Sequence, residues 1–126
     1  MESYYKKLFF IGALWNFGAA FIFYFLHGPL FSFLGMQPVG DAMFVQLFSM
    51  AVLLFGVGYY WVSRDLNRNH GILKLGIAGK VIVFTILTYH LLFHGCIHWL
   101  LALAGVVDLI FAVLFIKFLM AFEKQV

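Results

Sequence analysis

The chain has 126 residues, of which 65% are hydrophobic, 21% are aromatic and only 10% are charged. Soluble domains carry about 25% charged residues, so this composition excludes an ordinary soluble domain and indicates long apolar spans in a membrane. The formal net charge of +3 does not indicate nucleic-acid binding, because most basic residues flank apolar segments, and the single cysteine excludes an internal disulfide.

Four continuous apolar segments follow one another along the chain, at residues 8–26, 42–62, 72–93 and 97–119. About 20 residues of α-helix cross a hydrocarbon core that is about 30 Å thick. Helices are favoured over strands because the segments are continuous rather than alternating. The sequence therefore predicts an all-α integral membrane four-helix bundle, with residues 1–126 forming a single transmembrane domain.

The basic residues predict the orientation of the bundle. Seven of the eight lie at the same ends of the segments: Lys6, Lys7, Arg64, Arg68, Lys74, Lys117 and Lys124. By the positive-inside rule, both termini are expected to be cytoplasmic. The first apolar segment is too long and too aromatic for a secretory signal, so we interpret it as an uncleaved span.

The connection between the first two spans, residues 28–40, is itself apolar and contains two prolines. Such a segment is typical of a short helix in the outer interface, or of a loop that partly re-enters the bilayer. The sequence leaves both arrangements open.

Two ionisable residues lie inside apolar spans, Lys80 in the third and Asp108 in the fourth. A lone charge at that depth costs about 2.5–3.5 kcal/mol on insertion scales, so a partner is expected. Asp108 is nine residues from Lys117 and Asn16 is nine residues from Lys7. At 1.5 Å per residue, both lie about 13 Å from a cytoplasmic anchor. We predict a Lys80–Asp108 ion pair with Asn16 as a hydrogen-bonding neighbour.

Small residues flank this polar layer on the same helix faces and favour close helix approach: Gly12, Ala20, Gly76, Gly105 and Ala112. Three roles for the layer remain open. It could fix helix packing. It could line a path for an ion, a proton or a small solute, since intramembrane ionisable groups often mark such paths. It could also bind a cofactor or a lipid headgroup.

A second cluster of polar residues lies at the predicted outer ends of the helices. His90, His94 and His98 are spaced four residues apart, with Cys96 between them and His27 at the end of the first span. If the helix continued through the turn, the three spaced histidines would share one face. Imidazole and thiolate bind zinc or copper, and imidazole binds haem iron, so a metal or haem site is one hypothesis. The alternative is that these side chains face water or headgroups.

The layout of the chain resembles the small bacterial DoxX-like four-helix membrane proteins. The resemblance is carried by four spans with short connections and by the segments RDLNRNHGILKLGIAGKVIVF and LALAGVVDLIFAVLFIKFL within residues 64–119. It implies a location in a bacterial inner membrane and transfers no catalytic residue.

Three function classes follow. There is no phosphate-binding loop, nucleophile elbow or carboxylate pair, so the sequence does not favour an enzyme. The chain is expected to be channel- or transporter-like and oligomeric, with Asn16, Lys80 and Asp108 lining a polar path. Alternatively it is an accessory or scaffold subunit that binds partner membrane helices, or a metal- or haem-binding redox component. In each case membrane lipid surrounds it.

Overall fold

The computed structural model describes residues 2–95 and 97–124, except for the side chains of His94 and Lys124. Its helices, in chain order, are α1 (Glu2–Phe25), α2 (His27–Phe33), α3 (Ala42–Arg64), α4 (His70–Tyr89) and α5 (Trp99–Lys124). A π-helical turn, His90–His94, extends α4. The four long helices have the length and composition needed to cross a membrane, and the described residues contain no strand, so the all-helical prediction is confirmed.

The chain divides into two compact units, Met1–Asn69 and His70–Val126. In the first, the N-terminal hairpin, α1 packs against α3. In the second, the C-terminal hairpin, α4 packs against α5. That the two hairpins form a single transmembrane domain stays a prediction.

The helices extend beyond several of the predicted spans. Helix α1 begins at Glu2, six residues before the predicted span at residues 8–26, and α5 continues to Lys124. A run of apolar residues shows which part of a helix is suited to lipid. The helix itself can continue into the polar residues at either end of that run. In the first turns of α1, the Lys6 ammonium lies 3.2 Å from the Glu2 carboxylate. Such an i, i+4 pair supports helix formation.

The connection between α1 and α3 contains the short helix α2, which is one of the two arrangements that the sequence left open. The Asp41 side chain then accepts a hydrogen bond of 2.9 Å from the backbone N–H of Met43 and caps α3. The position of α2 relative to a membrane stays a prediction.

The core of the N-terminal hairpin is built from small and aromatic side chains. Phe9 and Ala13 of α1 and Tyr59 and Val62 of α3 are almost completely buried. The two helices approach each other closely at Gly56, where an added Cβ would lie 2.8 Å from the Phe17 ring and 3.1 Å from Cβ of Asn16. Helix α3 therefore has a glycine where a side chain would collide with α1.

The C-terminal hairpin has an equivalent close approach. On α4, Leu73, Gly76 and Lys80 form one buried stripe. On α5, a Cβ added at Gly105 would lie 3.4 Å from Cα of Phe84. At Gly105, three residues before Asp108, the absence of a side chain therefore lets the two helices approach closely, as expected of a small residue in that position.

Gly56→Ala should destabilise the N-terminal hairpin, because the new methyl group has no space beside Phe17 and Asn16. Overpacking of this kind costs about 1–3 kcal/mol. The measurement is thermal or denaturant unfolding in mild detergent. Gly18→Ala is the matched control, because a Cβ there meets nothing within 4 Å. Equal stability of the two variants would contradict the packing described here.

Candidate functional site

The side chains of Lys80 and Asp108 are in direct contact in the C-terminal hairpin. The Lys80 ammonium donates a hydrogen bond to Oδ1 of Asp108 at 2.8 Å. The Lys80 side chain is only 6% exposed and the Asp108 side chain is 18% exposed. The structure therefore contains a largely buried ion pair between two helices that are suited to cross a membrane.

Helix geometry explains why the two groups meet. Lys80 follows Gly76 by one turn on the buried stripe of α4, and Asp108 lies between Gly105 and Ala112, which are both buried on α5. Residues three and four apart share one helix face, so each charged residue has a small neighbour that lets the opposite helix come close.

An aromatic ring completes the surroundings of the lysine. The Lys80 ammonium lies 5.4 Å from the centroid of the Phe111 ring, one turn after Asp108. A cation within about 6 Å of a ring face is attracted by the ring quadrupole, and the attraction increases when water is excluded. This contact was not predicted from the sequence. The spacing of three residues between Asp108 and Phe111 was the available signal.

Removal of one member of the ion pair has a different energetic cost from removal of both. Two charges leave water at a high cost, which their mutual attraction and hydrogen bonding offset. Among the described residues, every buried side-chain nitrogen and oxygen has a hydrogen-bond partner. Loss of one partner would leave the other charge buried alone, whereas loss of both would leave an apolar contact. Loss of one partner is therefore expected to destabilise the contact between α4 and α5 more than loss of both.

Asn16, the third residue of the predicted polar layer, lies in the N-terminal hairpin. It is buried, and its Nδ2 donates a hydrogen bond of 3.0 Å to the backbone carbonyl of Val52 on α3. Asn16 therefore connects α1 to α3. Its predicted hydrogen bond to the Lys80–Asp108 pair stays a prediction.

The candidate metal-binding histidines have individual local contacts. Nδ1 of His27 lies 2.8 Å from the carbonyl oxygen of Phe23, and Nδ1 of His98 accepts a 3.1 Å hydrogen bond from the Leu100 N–H at the start of α5. The ring of His90 packs edge-on against Tyr89. Cys96 and the side chain of His94 lie outside the described residues.

His90, His94 and His98 were expected to share one face only if the helix continued through the turn, and it does not. The π-helical turn changes the residue spacing after Tyr89, and Gly95, with φ of 61°, ends the helix before His98. In the described part of the chain, no three His, Cys, Asp or Glu residues come together as a metal site would require. A metal or haem group remains a hypothesis.

Comparison of the chain with protein-family models, with curated proteins and with solved structures finds no match. The resemblance to DoxX-like proteins therefore stays an expectation from the sequence. The ion pair and the surfaces of the helices are the features that bear on function.

Lys80→Met should destabilise the protein by about 3–5 kcal/mol, because Asp108 would be left as an uncompensated buried charge. Adding Asp108→Leu should restore much of that loss, because no charge then remains. The measurement is a double-mutant cycle of unfolding in detergent. Lys74→Met is the matched control, since Lys74 is exposed on the same helix. A double variant that is no more stable than Lys80→Met would show that the two residues do not interact.

The metal hypothesis predicts a haem absorption band or stoichiometric zinc or copper in the purified protein, with a loss in His90→Ala. Absorption spectroscopy and elemental analysis measure both. A colourless, metal-free preparation from cells that were supplied with haem and metals would rule the hypothesis out.

Proposed function

We propose that the chain is a non-enzymatic accessory or scaffold subunit of a membrane complex, located in a bacterial inner membrane with both termini cytoplasmic. The observation that carries the proposal is that the ion pair is complete within one chain. Lys80 and Asp108 neutralise each other at 2.8 Å, so their charges are directed at each other rather than at a passing ion.

The outer surfaces of the long helices support a role in helix–helix association. Each long helix exposes large apolar side chains, for example Phe21, Leu54, Leu75 and Ile110. In a bilayer, such surfaces contact either lipid or the packed faces of other membrane helices. Partner membrane subunits or a second copy of the chain would cover part of them.

The orientation is supported by the basic residues. Lys7 in the first turns of α1, Arg64 at the end of α3 and Lys74 in the first turns of α4 are exposed. Lys117 is exposed near the end of α5. Basic residues are retained on the cytoplasmic side during insertion. We therefore assign the starts of α1 and α4 and the ends of α3 and α5 to the cytoplasm.

Transport is the second candidate function, and the uneven exposure of the pair favours it. Asp108 is 18% exposed, against 6% for Lys80. A partly accessible carboxylate within a span is a position at which a proton or cation could exchange with the bound ammonium. In this alternative the chain is channel- or transporter-like, and the pair opens as part of the transport cycle.

Extraction in mild detergent, followed by mass measurement and identification of the components, tests the accessory role. We expect a complex that is heavier than the 14.4 kDa chain and that contains other membrane subunits, because the exposed apolar surfaces then have partners. A protein that remains a monomer, both in detergent and after crosslinking in the native membrane, would contradict the proposal.

A flux assay separates the two candidates. Proteoliposomes with the wild-type protein and with Asp108→Asn should both match empty liposomes in proton and cation flux. Asp41→Asn is the control, because Asp41 is exposed outside the long helices. Flux that is present in the wild type and in Asp41→Asn but absent in Asp108→Asn would support transport instead.

A further inference from the structure

The N-terminal hairpin contains a groove that the proposed accessory role does not use. It lies between the start of α1 and the end of α3 and has a volume of about 890 Å³. Its polar lining includes Glu2, Lys6, Lys7 and Arg64, and its apolar lining includes Phe10 and Tyr60. The groove is therefore large enough for a small ligand, since ligand pockets measure about 300–1,000 Å³.

The charge of the groove favours an anionic ligand. Three basic side chains from two helices line it, and one carboxylate opposes them. Glu2 is paired with Lys6 at 3.2 Å within α1. Lys7 and Arg64 are both exposed, and within the described residues neither forms an ion pair. Two positive charges on facing helices are thus available to one anion, and ammonium and guanidinium groups both bind phosphate.

The apolar side of the groove points to an amphipathic ligand. The rings of Phe10 and Tyr60 lie 6.4 Å apart, one on each helix. A soluble inorganic phosphate has no apolar part that could contact these rings. A phospholipid, in contrast, carries its phosphate beside a glycerol and acyl chains. The groove also lies at the ends of two helices that are suited to cross a membrane, where headgroups are found.

We propose that this groove binds the phosphate headgroup of an anionic phospholipid. Lys7 and Arg64 contact the phosphate, and Phe10 and Tyr60 pack against the apolar part of the lipid next to the headgroup. Glu2 holds Lys6 and weakens binding by its own charge. The lipid would then be fixed to the N-terminal hairpin at its basic end.

Native mass spectrometry of the full chain in detergent tests this proposal by titration with phosphatidylglycerol, phosphatidylcholine and inorganic phosphate. Each basic residue near a membrane surface contributes about fivefold to the affinity for anionic lipid, so Lys7→Gln with Arg64→Gln should weaken phosphatidylglycerol binding about 25-fold. Glu2→Gln should strengthen it, because Glu2 carries the only carboxylate among the described residues that line the groove. Phosphatidylcholine should bind more weakly than phosphatidylglycerol to the wild-type protein.

Arg68→Gln is the matched control. Arg68 is exposed, lies four residues after Arg64, pairs with Asp65 at 3.4 Å and does not line the groove. It should leave phosphatidylglycerol binding unchanged. Equal binding of the two lipids, or equal losses in Arg68→Gln and in the Lys7/Arg64 double variant, would overturn the proposal. Binding of inorganic phosphate as tight as that of phosphatidylglycerol would identify a soluble phosphate compound as the ligand and overturn the lipid assignment.

Discussion

The Lys80–Asp108 ion pair is the interaction on which the C-terminal hairpin depends, because its two helices are suited to cross a membrane and a lone charge in hydrocarbon is costly. Lys80 lies in the middle of a helix that is otherwise suited to lipid, so the hairpin must supply an opposite charge at the same depth. Asp108 supplies it at 2.8 Å, and the Phe111 ring lies beside the ammonium. Small residues on both helices make the contact possible. The ion pair therefore favours the facing and the register in which the Lys80 and Asp108 side chains meet.

The N-terminal hairpin is held together by different means. One polar contact between its helices is the neutral hydrogen bond from Asn16 to the Val52 carbonyl, and such bonds between membrane helices contribute only about 0.6 kcal/mol on average. The two helices also pack closely at Gly56. The basic groove at one end of this hairpin combines charge with an apolar wall, which suits the boundary between lipid and water. The two hairpins thus differ in chemistry as well as in sequence.

The main features were predictable because they follow from hydropathy. Four apolar segments predicted four long helices, and the need of each charge inside an apolar span for a partner predicted the Lys80–Asp108 pair. Other features could not be derived this way. Every residue has a carbonyl, so the sequence does not single out Val52 as the acceptor for Asn16. Because the chain has 17 phenylalanines, the sequence does not single out Phe111 as the one beside Lys80. Helix ends depend on local contacts such as the Glu2–Lys6 pair, and the π-helical turn after Tyr89 disrupts the regular histidine spacing.

The most direct measurement is the distance between the lysine ammonium and the aspartate carboxylate in lipid bilayers. Solid-state NMR on protein labelled with ¹⁵N at the lysine side chains and ¹³C at the aspartate carboxyl groups reports the dipolar coupling between them, and Lys80→Met assigns the signal. We expect a strong coupling that is consistent with the 2.8 Å N–O contact and that is lost in the variant. A wild-type spectrum with no coupling that depends on Lys80 would contradict the account.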